Sequence, residues 1–130
     1  MYEGFEIISS YTRAQAIEDG TLIDVGMYAK RHGVRWPVAV TPRALACAQS
    51  WIRDDEPTDE ERLDDVGAAL AQELREKSRR GAEVRPDEKV KLPRLFARVD
   101  GELTPAPIVY VIGPGDKGEP VITVMHEDED

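Results

Sequence analysis

Apolar and polar positions alternate along this chain in short, sharply punctuated segments. In "SSYTRAQAIEDGTLIDV", residues 9–25, Thr12 and Gln15 form the Thr-x-x-Gln pattern of a capping box, where each side chain satisfies a backbone N–H left without a partner at a helix start. Ala14, Ala16 and Ile17 favour a short helix, Gly20 supplies the left-handed residue that ends it, and "TLIDV" has the branched side chains of a half-buried strand. "MYAKRHG" repeats the device, with Lys30, Arg31 and His32 against the negative end of a short helix and Gly33 closing it. "RWPVAV" then reads as a second strand with Pro37 at its start, where a missing donor does least harm. Thr41-Pro42 opens a third helix, predicted to run to about Ile52.

After the charged break "RDDEPTDEE", Thr58 and Glu61 form a second capping box, and Leu63, Val66, Leu70 and Leu74 follow at helical spacing. The pattern predicts one long amphipathic helix, with Asp59, Glu60, Glu61, Asp64 and Asp65 in its first turns, Arg75, Lys77, Arg79 and Arg80 in its last, and Gly81 beyond. Residues 82–93 read as a loop. "RLFARVDG", "APIVYVIG" and "EPVITVMH" read as three strands in an antiparallel arrangement, and the unbroken apolar runs 108–112 and 121–125 place their strands centrally in the sheet. The expected fold is α+β: a mainly antiparallel sheet covered by short N-terminal helices and one long amphipathic helix, as a single domain over residues 1–130 with a solvated acidic tail at 127–130.

Composition narrows the function. With 41% hydrophobic and 33% charged residues and no long apolar run, the chain has the make-up of a globular protein outside the membrane, and "MYEGFEIISS" has no secretory pattern, so the cytoplasm is the expected location. The net charge of −9 is uneven: residues 53–73 carry nine acidic and two basic groups, 74–98 nine basic and four acidic, and 99–130 eight acidic and one basic. Binding to nucleic acid draws on neutralised phosphates and released counterions, so the acidic balance argues against it and leaves only the basic segment 75–98 as a route.

Catalytic chemistry is sparse. Gly113, Gly115 and Gly118 match the spacing of a dinucleotide-binding turn, but Glu119-Pro120 and a strand follow where that chemistry needs a helix, so "GPGDKG" is expected to be an exposed hairpin loop. Cys47, the only cysteine, sits among alanines, where a small buried thiol is the usual outcome. His126 beside Glu127 and Asp128 makes a weak metal site, and the acidic run at 54–61 lacks the spacing of a calcium loop. No cofactor, metal or catalytic residue is therefore assigned. Trp36 and Trp51 are expected to fill the core. The candidate interaction residues are Tyr11 and Arg13, which flank the first cap; Asp54, Asp55, Glu56, Asp59, Glu60 and Glu61 of the acidic run; and Asp116, Lys117 and Glu119 of the glycine-rich loop.

"SYTRAQAIEDGTLIDV", "RWPVAVT" and "GPGDKGEPVITVM" together resemble an uncharacterised family of small proteins encoded mostly on bacterial plasmids, integrative elements and phages. The long helix departs from the family's pattern, with Asp64 and Ala68 or Ala69 where relatives carry tryptophan. The resemblance implies a gene context and no mechanism. The expectation that follows is a small acidic binding protein of a mobile element, acting on a protein partner with a basic nucleic-acid-binding groove and so on a host defence system. A small nucleotide-dependent transferase using Tyr11, Arg13 and Glu119, and a nucleic-acid-binding accessory protein using 75–98, are the alternatives.

Overall fold

The computed structural model describes residues 11–50 and 56–129. Thr12 caps helix α1 (Arg13–Glu18) with the full reciprocal box, and Gly20 follows at φ +86°, the left-handed conformation expected of it. Strand β1 (Ile23–Asp24), helix α2 (Gly26–Arg31), strand β2 (Val38–Val40) and helix α3 (Pro42–Cys47) come next, with Gly33 at φ +100° behind α2 and Thr41 capping α3. Thr58 and Glu61 complete the second capping box, and α4 (Asp59–Arg80) ends on left-handed Gly81. The remaining strands are β3 (Val90–Lys91), β4 (Phe96–Val99), β5 (Glu102–Pro105), β6 (Ile108–Pro114) and β7 (Pro120–His126).

Five strands form one sheet in the order β1-β2-β7-β6-β3. All its pairings are antiparallel except β2 with β7, which run parallel with Val38 opposite Ile122. The fold is therefore α+β with a mostly antiparallel sheet, and β7, one of the two apolar runs, is its central strand. Ile108, Tyr110, Ile122 and Val124 share a buried core with Val25, which precedes α2, and with Ala29, Ala44, Leu45, Val66 and Leu70 from the helices. The alternate residues Val109, Val121 and Met125 are buried as well, so both faces of β6 and β7 are covered in part. β4 and β5 form a separate two-stranded ribbon.

Several local expectations change. α3 stops at Cys47 rather than near Ile52, because Ala48 turns extended and Gln49 enters a bridge with Phe96, exchanging N–H···O bonds of 2.9 and 2.8 Å. The predicted 82–93 loop contains β3, and "ELTP" forms a strand through its pairing with β4. On α4 the fully buried residues are Val66 and Leu70, while Leu63 and Leu74 lie half-buried at the edges of the stripe. Gly67 also faces inward: a Cβ there would stand 3.0 Å from the backbone of Tyr28 and Ala29, so any side chain would have to push α2 and α4 slightly apart. Trp36 was expected in the core and is 44% exposed, because Val34, not Trp36, points inward from the α2–β2 loop. The second tryptophan, Trp51, lies outside the described residues, as do Asp54 and Asp55.

Residues 127–129 of the acidic segment are tied back to the fold. Glu129 accepts hydrogen bonds from the Thr41 hydroxyl at 2.7 Å and from the His126 N–H at 2.8 Å, and Lys89 reaches the carbonyl oxygens of Glu127 and Glu129. Glu127 and Asp128 stay exposed.

Candidate functional site

The candidate residues fall into two groups. The first gathers at the junction of α1 with the β6–β7 loop. That loop is the hairpin turn expected of "GPGDKG", closed by Gly118 N–H to Gly115 O at 3.0 Å, with left-handed Gly118 and with Lys117 N–H on Glu119 Oε1 at 2.8 Å. The Asp116 carboxylate receives the Arg13 and Ala14 N–H groups at 2.7 and 3.1 Å, occupying the positive end of α1. These two hydrogen bonds hold the Asp116 carboxyl below the usual carboxylate range. The half-buried Arg13 guanidinium donates to Thr123 Oγ1 and to the Ile122 carbonyl, both at 2.7 Å, and thereby ties α1 to the central strand. Burial lowers the Arg13 pKa, an effect opposed by Asp116, Asp24 and Glu119. Tyr11 donates to Asp19 and, at 3.2 Å, to Thr21 Oγ1. Asp19 is held at lowered pKa first by the Thr21 hydroxyl and then by Tyr11.

Arg13 and Asp116 thus come together, with Lys117 and Glu119 in the same loop, whereas Tyr11 turns to Asp19 and Thr21 behind α1. The Arg13 guanidinium is spent on the central strand, Asp116 on the start of α1 and Glu119 on its own loop. The end of α1 that could have faced a ligand phosphate faces a carboxylate of the same chain.

The second group is the acidic start of α4, some distance along the fold. Thr58 Oγ1 accepts the Glu61 N–H at 3.1 Å while Glu61 Oε1 accepts the Thr58 N–H at 2.9 Å, so Glu61 serves the cap. Asp64 is engaged by His32 Nε2 at 2.9 Å and Arg31 at 3.5 Å. Asp59 and Glu60 point to solvent, as does Glu56, 87% exposed although 3.8 Å from Arg62. A shallow depression of about 460 Å³ opens at Glu60, lined also by Glu61, Asp64, Arg31 and the apolar Met27 and Tyr28.

Three charged residues that the hydrophobic pattern did not single out are buried along α4. Arg62 donates to the carbonyls of Ala46 and Ala48 at 3.0 Å and of Leu45 at 3.4 Å, capping the last turn of α3. Asp65 accepts the Ser50 N–H at 2.8 Å, and Glu73 accepts the hydroxyl of the fully buried Tyr110 at 3.0 Å, with Lys77 at 3.9 Å. Burial, reinforced by Glu73, raises the Tyr110 pKa far above its ordinary value. The signal was present in the spacing: residues 62, 65, 69 and 73 recur at helical intervals, each one position before a residue of the apolar stripe.

Cys47 is half-buried, its thiol pushed up mainly by burial and its Sγ 3.5 Å from the Ala44 carbonyl. His126 Nδ1 accepts the Asp128 N–H at 3.2 Å. Among the described residues no three His, Cys, Asp or Glu side chains gather as metal ligands, and no helix is long and apolar enough to cross a membrane. The basic segment 75–98 is dispersed: Arg75 lies against the α2–β2 loop, Lys89 and Lys91 reach the C-terminal segment and the β5–β6 connection, and Arg94 lies near Ser50 and Phe96.

Fold and surface together define a small α+β domain with an acidic pole and a strand-locked N-terminal helix. The chain belongs to a family of unknown function, DUF6573, whose model matches residues 1–130. No curated protein and no solved structure matches it.

Proposed function

We propose that this chain is a binding protein that docks its acidic pole on a protein with a basic surface. The supporting observation is that Glu60 faces solvent in a depression carrying exposed Met27, with Asp59 exposed beside it in the chain and Glu56 exposed just before the helix, while the neighbouring Glu61 and Asp64 are held by the fold. Such a surface presents a fixed negative field with an apolar contact beside it, a combination that steers encounter and then excludes water. The target we infer is a nucleic-acid-binding groove, whose positive field matches this one. The mobile-element resemblance of the sequence makes a host defence protein the first candidate.

Affinity purification of the tagged chain from its natural host, followed by titration of the recovered partner at two salt concentrations, tests this reading. Replacing Glu56, Asp59 and Glu60 with Gln, Asn and Gln should slow association about tenfold and remove most of the salt dependence. Affinity unmoved by both salt and substitution rejects it.

A further inference from the structure

Exposed Trp36 stands as a ridge between two grooves. On one side Val34, Ala71 and Leu74 floor a groove of about 480 Å³ against α4, with Arg35 and Arg75 on its rim. On the other, Met27, Val34 and Pro37 line a groove of about 520 Å³ toward α2, with Arg35 and Lys30 at its edge. Among the described residues no carboxylate lines the first groove, and in the second only Asp24 does, whose Oδ1 already accepts the Gly26 N–H at 2.8 Å. Arg75 donates to the His32 carbonyl at 3.4 Å, and among the described residues no ion pair engages Lys30, Arg35 or Arg75. This is a cationic rim around an aromatic ridge on a chain of net charge −9.

We infer that the Trp36 ridge is a second docking surface, whose occupant is an acidic peptide segment of another protein carrying an aromatic or leucine anchor. The apolar floor accepts the anchor, Trp36 packs along it, and Lys30, Arg35 and Arg75 meet flanking carboxylates, the arrangement in which tryptophan and arginine dominate binding. Single-stranded nucleic acid fits less well. Its binding uses successive stacking aromatics along a continuous positive track, whereas one aromatic stands here over aliphatic walls, in the field of a strongly negative chain.

The test is selection of a random-peptide phage library on the intact protein, with Trp36→Ala as the counter-target, then anisotropy titration of the enriched peptide. Enriched sequences should pair acidic residues with one aromatic or leucine. Trp36→Ala should weaken their binding at least about tenfold, Arg35→Gln with Arg75→Gln should weaken it to a similar degree, and Trp36→Phe should retain most of it. Three results overturn the inference: no enrichment over the counter-target, enrichment of sequences without acidic residues, or Trp36-dependent binding of an oligothymidylate tighter than that of the peptides. A Trp36-dependent dimer in sedimentation also overturns it, because the face would then belong to a second copy. Failure here leaves the acidic-pole reading intact, since the two surfaces share only Met27 and binding through Asp59 and Glu60 needs none of Trp36, Arg35 and Arg75.

Discussion

Charged side chains fasten this fold in two regions, and the regions differ in kind. Along α4, Arg62, Asp65 and Glu73 are almost fully buried, and at least one bond from each reaches a distant element: the end of α3, the N–H of Ser50, the hydroxyl of Tyr110. At the α1 junction, Asp116 and Asp19 bond as well but sit at the surface, where water competes for every partner. A buried group that loses its partner is left unsatisfied, while a surface group finds water instead. The α4 bonds should therefore set global stability, and the junction should set local order and its dependence on pH.

Arg62→Met is the sharpest challenge to the α4 half of this contrast. Methionine restores volume but leaves the last carbonyls of α3 without their donor, and the expected loss is about 3 kcal/mol from unsatisfied buried acceptors. Urea unfolding measures it. A loss below about 1 kcal/mol would mean that solvent reaches the α3 end and that the two regions do not differ.

Gly67→Ala probes the same face by sterics. The added methyl gains about 1 kcal/mol of helix propensity but meets backbone at 3.0 Å, and parting α2 from α4 should leave a net loss of about 1–2 kcal/mol. A stabilised variant would show that α2 rides loosely on α4.

These two residues also mark where the sequence stopped being informative. Capping boxes at Thr12 and Thr58, the left-handed glycines 20, 33 and 81, and the β6–β7 turn were legible because each is decided within a few residues. The end of α3 was not, because a bridge from Gln49 to the remote Phe96 draws the chain out of the helix. β3 and β5 are short strands that exist through their partners, and the parallel pairing of β2 with β7 joins segments far apart in the chain. Tyr11, Arg13, Asp116 and Glu119 were legible as polar candidates, but the pairing of Asp116 with the start of α1 and the turn of Tyr11 to Asp19 were not. Trp36 was misplaced because its large apolar area favours burial, and only the packing of Val34 decides which of the two points inward.

On the junction side, Gly20→Val separates backbone strain from packing. No atom of the described residues lies within 4 Å of a Cβ at this position, so the cost is that of the positive φ of +86°, about 1 kcal/mol or slightly more for a branched residue. Thermal melting should show a correspondingly small drop in midpoint. An unchanged midpoint would mean that the turn after α1 relaxes freely and that the junction is looser than its hydrogen bonds suggest.

The smallest effect is the one that identifies the junction as a surface device. The Asp116 carboxyl is held below its unfolded value by the Arg13 and Ala14 N–H groups, and Asp19 below its own by the Thr21 hydroxyl. For a depressed carboxyl the stabilisation is fully present above the unfolded pKa, near 3.9, and is lost as pH falls through the lower folded pKa. The protection of the Arg13 and Ala14 amides, taken relative to their intrinsic exchange rate at each pH, should therefore be high near neutrality and fall once pH drops below about 4, ahead of global unfolding. Asp116→Asn removes the titrating oxygen pair and leaves one acceptor for two N–H groups, so exchange in this variant should already be faster at neutral pH and should lose the acid-specific step that Asp116 supplies. The Tyr110–Glu73 pair on the other side of the comparison responds in the opposite direction. Its raised tyrosine pKa protects the fold below the unfolded value near 10 and costs stability as alkali rises past it. If Asp116→Asn left the acid response of α1 unchanged while lowering the global midpoint as much as Arg62→Met, the junction would belong to the core and the contrast between the two regions would collapse.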